Sequence, residues 1–123
     1  MPGLNRAILC GRLVADPVVR YTQNENAVAH FRLAVNWRGR GGSGTEFINC
    51  VAWNGLAKIC GEYLKKGKMV AVEGRLQIRS FKNKNGQSKS AAEVILDTVQ
   101  MLDTRFYQAA SKHEKPQEEL LEV

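Results

Sequence analysis

Alternation of apolar and polar residues recurs in short stretches along this chain, and helical spacing of apolar residues occurs once. A chain patterned in this way must bury one face of a sheet. Its 123 residues allow one domain with a modest core. From Ala27 to Val35, Ala29, Phe31, Leu33 and Val35 form one face, and His30 and Arg32 point to the other. From Phe47 to Trp53, Phe47, Asn49, Val51 and Trp53 share a side opposite Ile48, Cys50 and Ala52. Met69 to Phe81 is a long strand whose end places Arg75, Gln77, Arg79 and Phe81 on one face. Its Leu76 and Ile78 fall on the other face and are expected to be buried.

The remaining elements follow from turn chemistry. Ala7 to Val14 is an apolar strand ended by Asp16-Pro17, because proline lacks a donor and restricts the residue before it. Val18 to Tyr21 resumes extended structure, and Gln23 to Asn26 turn it. Trp37 to Gly44 is too glycine-rich to hold a strand and reads as a long, mobile basic loop. It has neither the G-K-[ST] nor the following helix of a nucleoside triphosphate site. Leu56, Ile59, Cys60, Tyr63 and Leu64 give the one helical stripe, with Asn54 as N-cap and Gly67 as stop. Asn85-Gly86 signals a hairpin into a last strand, Ala92 to Met101. About five strands with one short helix between the third and fourth describe an all-β fold, the OB-fold barrel, over residues 1–105. Residues 106–123 read as a short, disordered acidic tail.

Charge points to the ligand. Residues 1–105 carry 16 Lys and Arg against 8 Asp and Glu, and residues 106–123 carry 2 Lys against 4 Glu. A basic body with an acidic tail is a common layout among nucleic-acid binders. Phe47, Trp53 and Phe81 sit on strand segments within reach of cations, the pattern of a surface that stacks bases and holds phosphates. The candidate phosphate contacts are Arg32, Arg38, Arg40, Lys58, Arg75, Arg79, Lys82 and Lys84. Paired bases offer no free faces, so the expected nucleic acid is single-stranded.

Other classes are excluded or disfavoured. Asp16, Glu25, Glu46, Glu62, Glu73, Glu93, Asp97 and Asp103 are scattered singly, and His30 and His113 stand alone, so no catalytic or metal site and no cofactor is expected. Cys10, Cys50 and Cys60 form no C-x-x-C and are read as small buried hydrophobes in a reducing compartment. The N-terminal residues lack an apolar signal region, and no apolar run approaches the roughly 20 residues of a membrane span. A cytoplasmic, nucleoid-associated location with no membrane partner follows.

The chain resembles the bacterial single-stranded DNA-binding protein family over residues 4–103. The resemblance rests on Leu4-Asn5-Arg6 leading into Leu9-Cys10-Gly11-Arg12-Leu13, on Asp16-Pro17 with Arg20-Tyr21, and on Ala27 to Ala34. Phe47 to Leu56, Glu62 to Gly67 and Val72-Glu73-Gly74-Arg75-Leu76 complete it. It implies an OB-fold, a homotetramer, and sequence-tolerant binding of single-stranded DNA in replication, recombination and repair. It also implies stacking of bases on Trp37, Phe47, Trp53 and Phe81. The family's usual long linker and acidic Pro-Phe tip, which recruit replication and repair proteins, are replaced here by Glu118-Glu119-Leu120-Leu121-Glu122-Val123. Leu4 to Leu13 is expected to supply an edge strand for pairing between subunits. A primosome-restart or RNA-binding OB module is the alternative on the same fold.

Overall fold

A computed structural model describes residues 2–102. The expected tail, 106–123, lies outside the described residues. Six strand segments, β1 (Ala7–Leu13), β2 (Val18–Tyr21), β3 (Ala27–Gly39), β4 (Gly42–Trp53), β5 (Met69–Lys82) and β6 (Ser88–Leu102), surround one helix, α1 (Asn54–Tyr63). The hydrogen-bonded order is β1-β5-β6-β4-β3-β2, and a further β1–β3 pairing closes the ring. All pairings are antiparallel except β4 with β6.

β1 and β2 are one strand broken at Asp16-Pro17. Both run antiparallel to β3, with Leu13 opposite Leu33 and Val18 opposite His30, so the register slips by two residues across the break. The Asp16 carboxylate accepts a 2.8 Å hydrogen bond from the Lys66 N–H, which pins the bulge to the segment after the helix. The five-stranded OB barrel expected from the sequence is therefore the fold observed.

Alternate residues fill the interior. Leu33, Val70, Val72, Cys50 and Cys60 are the largest fully buried side chains. Two glycines permit the tight crossing of strands. A Cβ on Gly11 would lie 2.4 Å from the Ala34 carbonyl oxygen, where β1 meets β3. One on Gly74, beside the register shift in β5, would lie 2.0 Å from the Ile95 oxygen. Before β1 begins, the Asn5 side chain bridges to the Leu76 backbone, donating to its carbonyl at 2.7 Å and accepting from its N–H at 2.8 Å. It continues the β1–β5 ladder without a strand.

The helix packs against β2, β3, β4 and β6. Its buried stripe differs from the expected one. Ala57, Cys60 and the following Leu64 are buried, whereas Ile59 and Tyr63 are about half exposed. Small residues set this rotation: a Cβ on Gly61 would lie 2.6 Å from Val19 Cγ2, so the helix backbone sits directly on β2. Asn54 is not the cap. It is the first helical residue, with φ 56°, and Trp53 is the N-cap with no side-chain hydrogen bond.

Four further expectations are corrected. Trp37 to Gly44 is a regular hairpin rather than a loop: Asn36 faces Thr45, Trp37 faces Gly44, Arg38 faces Ser43 and Gly39 faces Gly42, leaving Arg40-Gly41 as the turn. Ladder hydrogen bonds come from the backbone, so glycines paired on both strands still form sheet. β6 likewise begins at Ser88 rather than Ala92 and pairs with β5 out to Lys82. Leu76 and Ile78 have the predicted parity, opposite Val94 and Ala92, but are 47% and 58% exposed. They continue the interior face onto an arm that projects past the barrel. Finally, Cys10 is exposed, because Leu9, Gly11 and Leu13 take the inward positions of β1 and leave it outward opposite Ala71. Cys50 and Cys60 are buried as expected, and burial pushes their thiols up to about 12 and about 11, with Cys60 adding to the shift at Cys50. Both stay protonated and inert at neutral pH.

Candidate nucleic-acid interface

Strand registers assemble the outer face row by row. His30 faces Val51, Val51 faces Ile95, and Ile95 faces Arg75. One step along, Arg32 faces Asn49, Asn49 faces Glu93, and Glu93 faces Gln77. Side chains in such rows touch their neighbours across the strands. From these rows His30, Val51, Ile95, Arg75, Glu93 and Gln77 line a cleft of about 340 Å³ together with Trp53 and Arg79, whereas Arg32 and Asn49 are not among its lining residues. Val51 is 3% exposed although it shares the parity of Phe47 and Trp53.

The parity that placed Phe47 and Trp53 outward is correct: they are 53% and 43% exposed, while Cys50 and Ala52 lie in the core. The Arg32 guanidinium lies 5.5 Å from the centroid of the Phe47 ring, and that of Arg79 lies 5.3 Å from the Phe81 ring. Each aromatic thus carries a cation on one face, an attraction that also orients the ring. Arg75 Nη1 donates to Gln77 Oε1 at 3.2 Å, which fixes the guanidinium over the floor.

The predicted residues do not all converge. Phe81 and Lys82 line a separate hollow on the β5–β6 arm with Lys89. Arg38 lies on the β3–β4 arm on the side of Phe47, and Arg40 occupies its turn. Lys84 stands in the turn of the other arm, where the Asn83 carboxamide oxygen accepts from the N–H groups of Asn85 and Gln87. Trp37 alternates onto the face opposite Phe47 and lies flat on Gly44, where a Cβ would come within 2.9 Å of the ring. Lys58 is exposed on α1 and lines none of these hollows. Gln77 lines the cleft on the face that strand parity gave it beside Arg75 and Arg79, whereas Ile95 and the buried Glu93 were missed as parts of the cleft. Their common signal is the parallel register of β6 on β4, which a single sequence does not carry.

Comparison with known proteins gives the family and the fold. Residues 4–102 match the Single-strand binding protein family. The chain is 46% identical over 105 residues to the Single-stranded DNA-binding protein of Oceanobacillus iheyensis, covering 83% of this chain and 65% of that protein. It is also 46% identical to Single-stranded DNA-binding protein A of Bacillus subtilis, covering 83% of this chain and 61% of that one. The matched region thus spans less than two thirds of these relatives. Among solved structures, a Plasmodium falciparum SSB complex with ssDNA superposes with a TM-score of 0.76 at 31% identity, covering 84% of this chain and 98% of that chain. A closed five-stranded barrel with one helix, an outer cleft of arginines and aromatics, and a family match across nearly all the described residues agree: the chain belongs to the single-strand binding protein family.

Proposed function

We propose that this chain binds single-stranded DNA with little dependence on sequence, holding and protecting single strands during replication, recombination and repair. The observation that carries this reading is the cleft on which Trp53, Arg75 and Arg79 converge, flanked by the cation-backed rings of Phe47 and Phe81. Rings stack on any base, and guanidinium groups meet the phosphates that every sequence shares. The binding unit is residues 1–105, and it acts without catalysis. Among the described residues no group of three or more His, Cys, Asp or Glu is placed to hold a metal ion. No helix among them is long and apolar enough to cross a membrane, and the proposed setting is the cytoplasm.

The working form is a homotetramer, which joins several short clefts into one path for a long strand. Two features support assembly. β1 bonds to β5 through Ala7–Arg12 but meets β3 only at Arg12 and Leu13, so its other edge is open. Exposed Ile8, Leu76 and Ile78 add apolar surface that a lone barrel leaves wet. Light scattering tests the assembly: a monomer at micromolar concentration overturns it.

Titration of the intrinsic tryptophan emission with poly(dT) tests the binding. Quenching that saturates, with equal-length duplex competing poorly, is the expected result. No change in emission and no gel shift would overturn the reading. Structured RNA competing as well as single-stranded DNA would favour an RNA-binding OB module instead.

A further inference from the structure

Glu93 is the one buried charged residue among the described residues, 7% exposed, and it lies on the floor of the cleft. Its side chain is more than nine-tenths buried, yet its carboxylate has one hydrogen bond among the described residues, from Arg79 Nη2 to Oε2 at a long 3.4 Å. Arg79 is itself half exposed and engaged with the Phe81 ring. The strands beside Glu93 contribute the amides of Asn49 and Gln77 at the facing positions, and the Gln77 oxygen is already held by Arg75. A buried carboxylate so sparsely partnered costs stability unless something else satisfies it.

A strand lying in this cleft presents two kinds of group. Phosphates are repelled by a carboxylate, so the sugar–phosphate chain keeps to the arginines at the rim. Base edges can approach. Cytosine, adenine and guanine each carry an exocyclic amine, whereas thymine presents a carbonyl oxygen where cytosine has its amine. We infer that Glu93 is a base-reading residue: its carboxylate accepts a hydrogen bond from the exocyclic amine of one base seated in the cleft, so that this subsite disfavours thymine. Binding stays sequence-tolerant over the whole strand, because stacking and phosphate contacts supply most of it, but one position per barrel is biased.

This inference rests on the single-stranded DNA reading and is tested apart from it by comparing two pyrimidines of nearly equal size. Dissociation constants for short dC and dT oligonucleotides of equal length are measured for wild type and Glu93→Gln. The amide can turn either its donor or its acceptor to the base, so the dC-to-dT affinity ratio should fall by about tenfold, the worth of one charge-assisted hydrogen bond. Both affinities changing by the same factor would show that Glu93 only positions Arg79, and would overturn the inference, as would no change. A second measurement does not depend on how the variant folds. Wild type should bind a dC oligonucleotide less tightly when one or more cytosines are replaced by 2-pyrimidinone, which lacks the amine. Equal affinity would overturn the inference even though DNA binding stands. Wild type binding neither oligonucleotide would overturn the DNA reading itself, and this one with it.

Discussion

The barrel and its two hairpin arms are built from the same alternating sequence, yet alternation has different consequences in each. In the barrel one parity of β3, β4 and β5 meets the opposite wall, and Leu33, Cys50, Val70 and Val72 are sealed. In the arms both parities face outward: Trp37 and Arg38 occupy opposite sides of one arm, and Ile78 and Arg79 opposite sides of the other. Apolar residues in the barrel supply stability, and those in the arms stay exposed. Burial, not pattern, separates the two roles.

The sharpest way to break this division is to truncate a side chain in each region. Leu33→Ala should cost about 2–5 kcal/mol of stability in denaturant unfolding, the usual range for a sealed leucine, with DNA affinity of the folded protein unchanged. Trp53→Ala at the cleft should do the reverse, losing roughly 1–3 kcal/mol of binding to poly(dT) with a smaller loss of stability. If Leu33→Ala leaves the midpoint where it was, the interior has been misplaced. A smaller effect separates cleft cations from the rest. Arg75→Gln should flatten the log–log salt dependence of binding by about 0.7, the contribution of one phosphate on a single strand, and Lys58→Gln on the helix should leave it unchanged. An equal effect from Lys58 would carry the DNA path over α1. Smaller still, Arg6→Ala removes exposed ion pairs to Glu73 and Asp97, at 3.1 and 3.7 Å, and should lower the unfolding free energy by no more than about 1 kcal/mol. Thiol labelling costs nothing energetically and still reports the barrel wall: a maleimide should modify Cys10 alone until the protein is unfolded.

Much of this was legible in the residues. Alternation gave the strands and the outward parity of Phe47, Trp53 and Phe81, and Asp16-Pro17 marked the break between β1 and β2. The failures share a cause, which is that pairing partners are not written in the segment they hold. Gly39 and Gly42 form sheet because each is the other's partner, not because glycine favours strands. Ile59 and Tyr63 fit the apolar helical spacing, but Ala57 and Cys60 take the buried positions, and the absent side chain of Gly61 lets the helix approach Val19 of β2. Glu93 looked like one scattered acid among eight until β6 was laid beside β4.

That seam between β4 and β6 bears on how the protein folds. It joins the strands in parallel through Asn49–Glu93, Cys50–Val94 and Val51–Ile95 alone, and it links the middle of the chain to its end. The β3–β4 and β5–β6 hairpins are local and can form first, whereas the seam must wait for a long loop containing α1 and β5 to close. Forming this seam is therefore a late step of folding, and together with the two-residue β1–β3 contact at Arg12–Ala34 and Leu13–Leu33 it is where the closed barrel parts first. Amide exchange at these positions, faster than in the antiparallel ladders on either side, would register the ring opening and shutting.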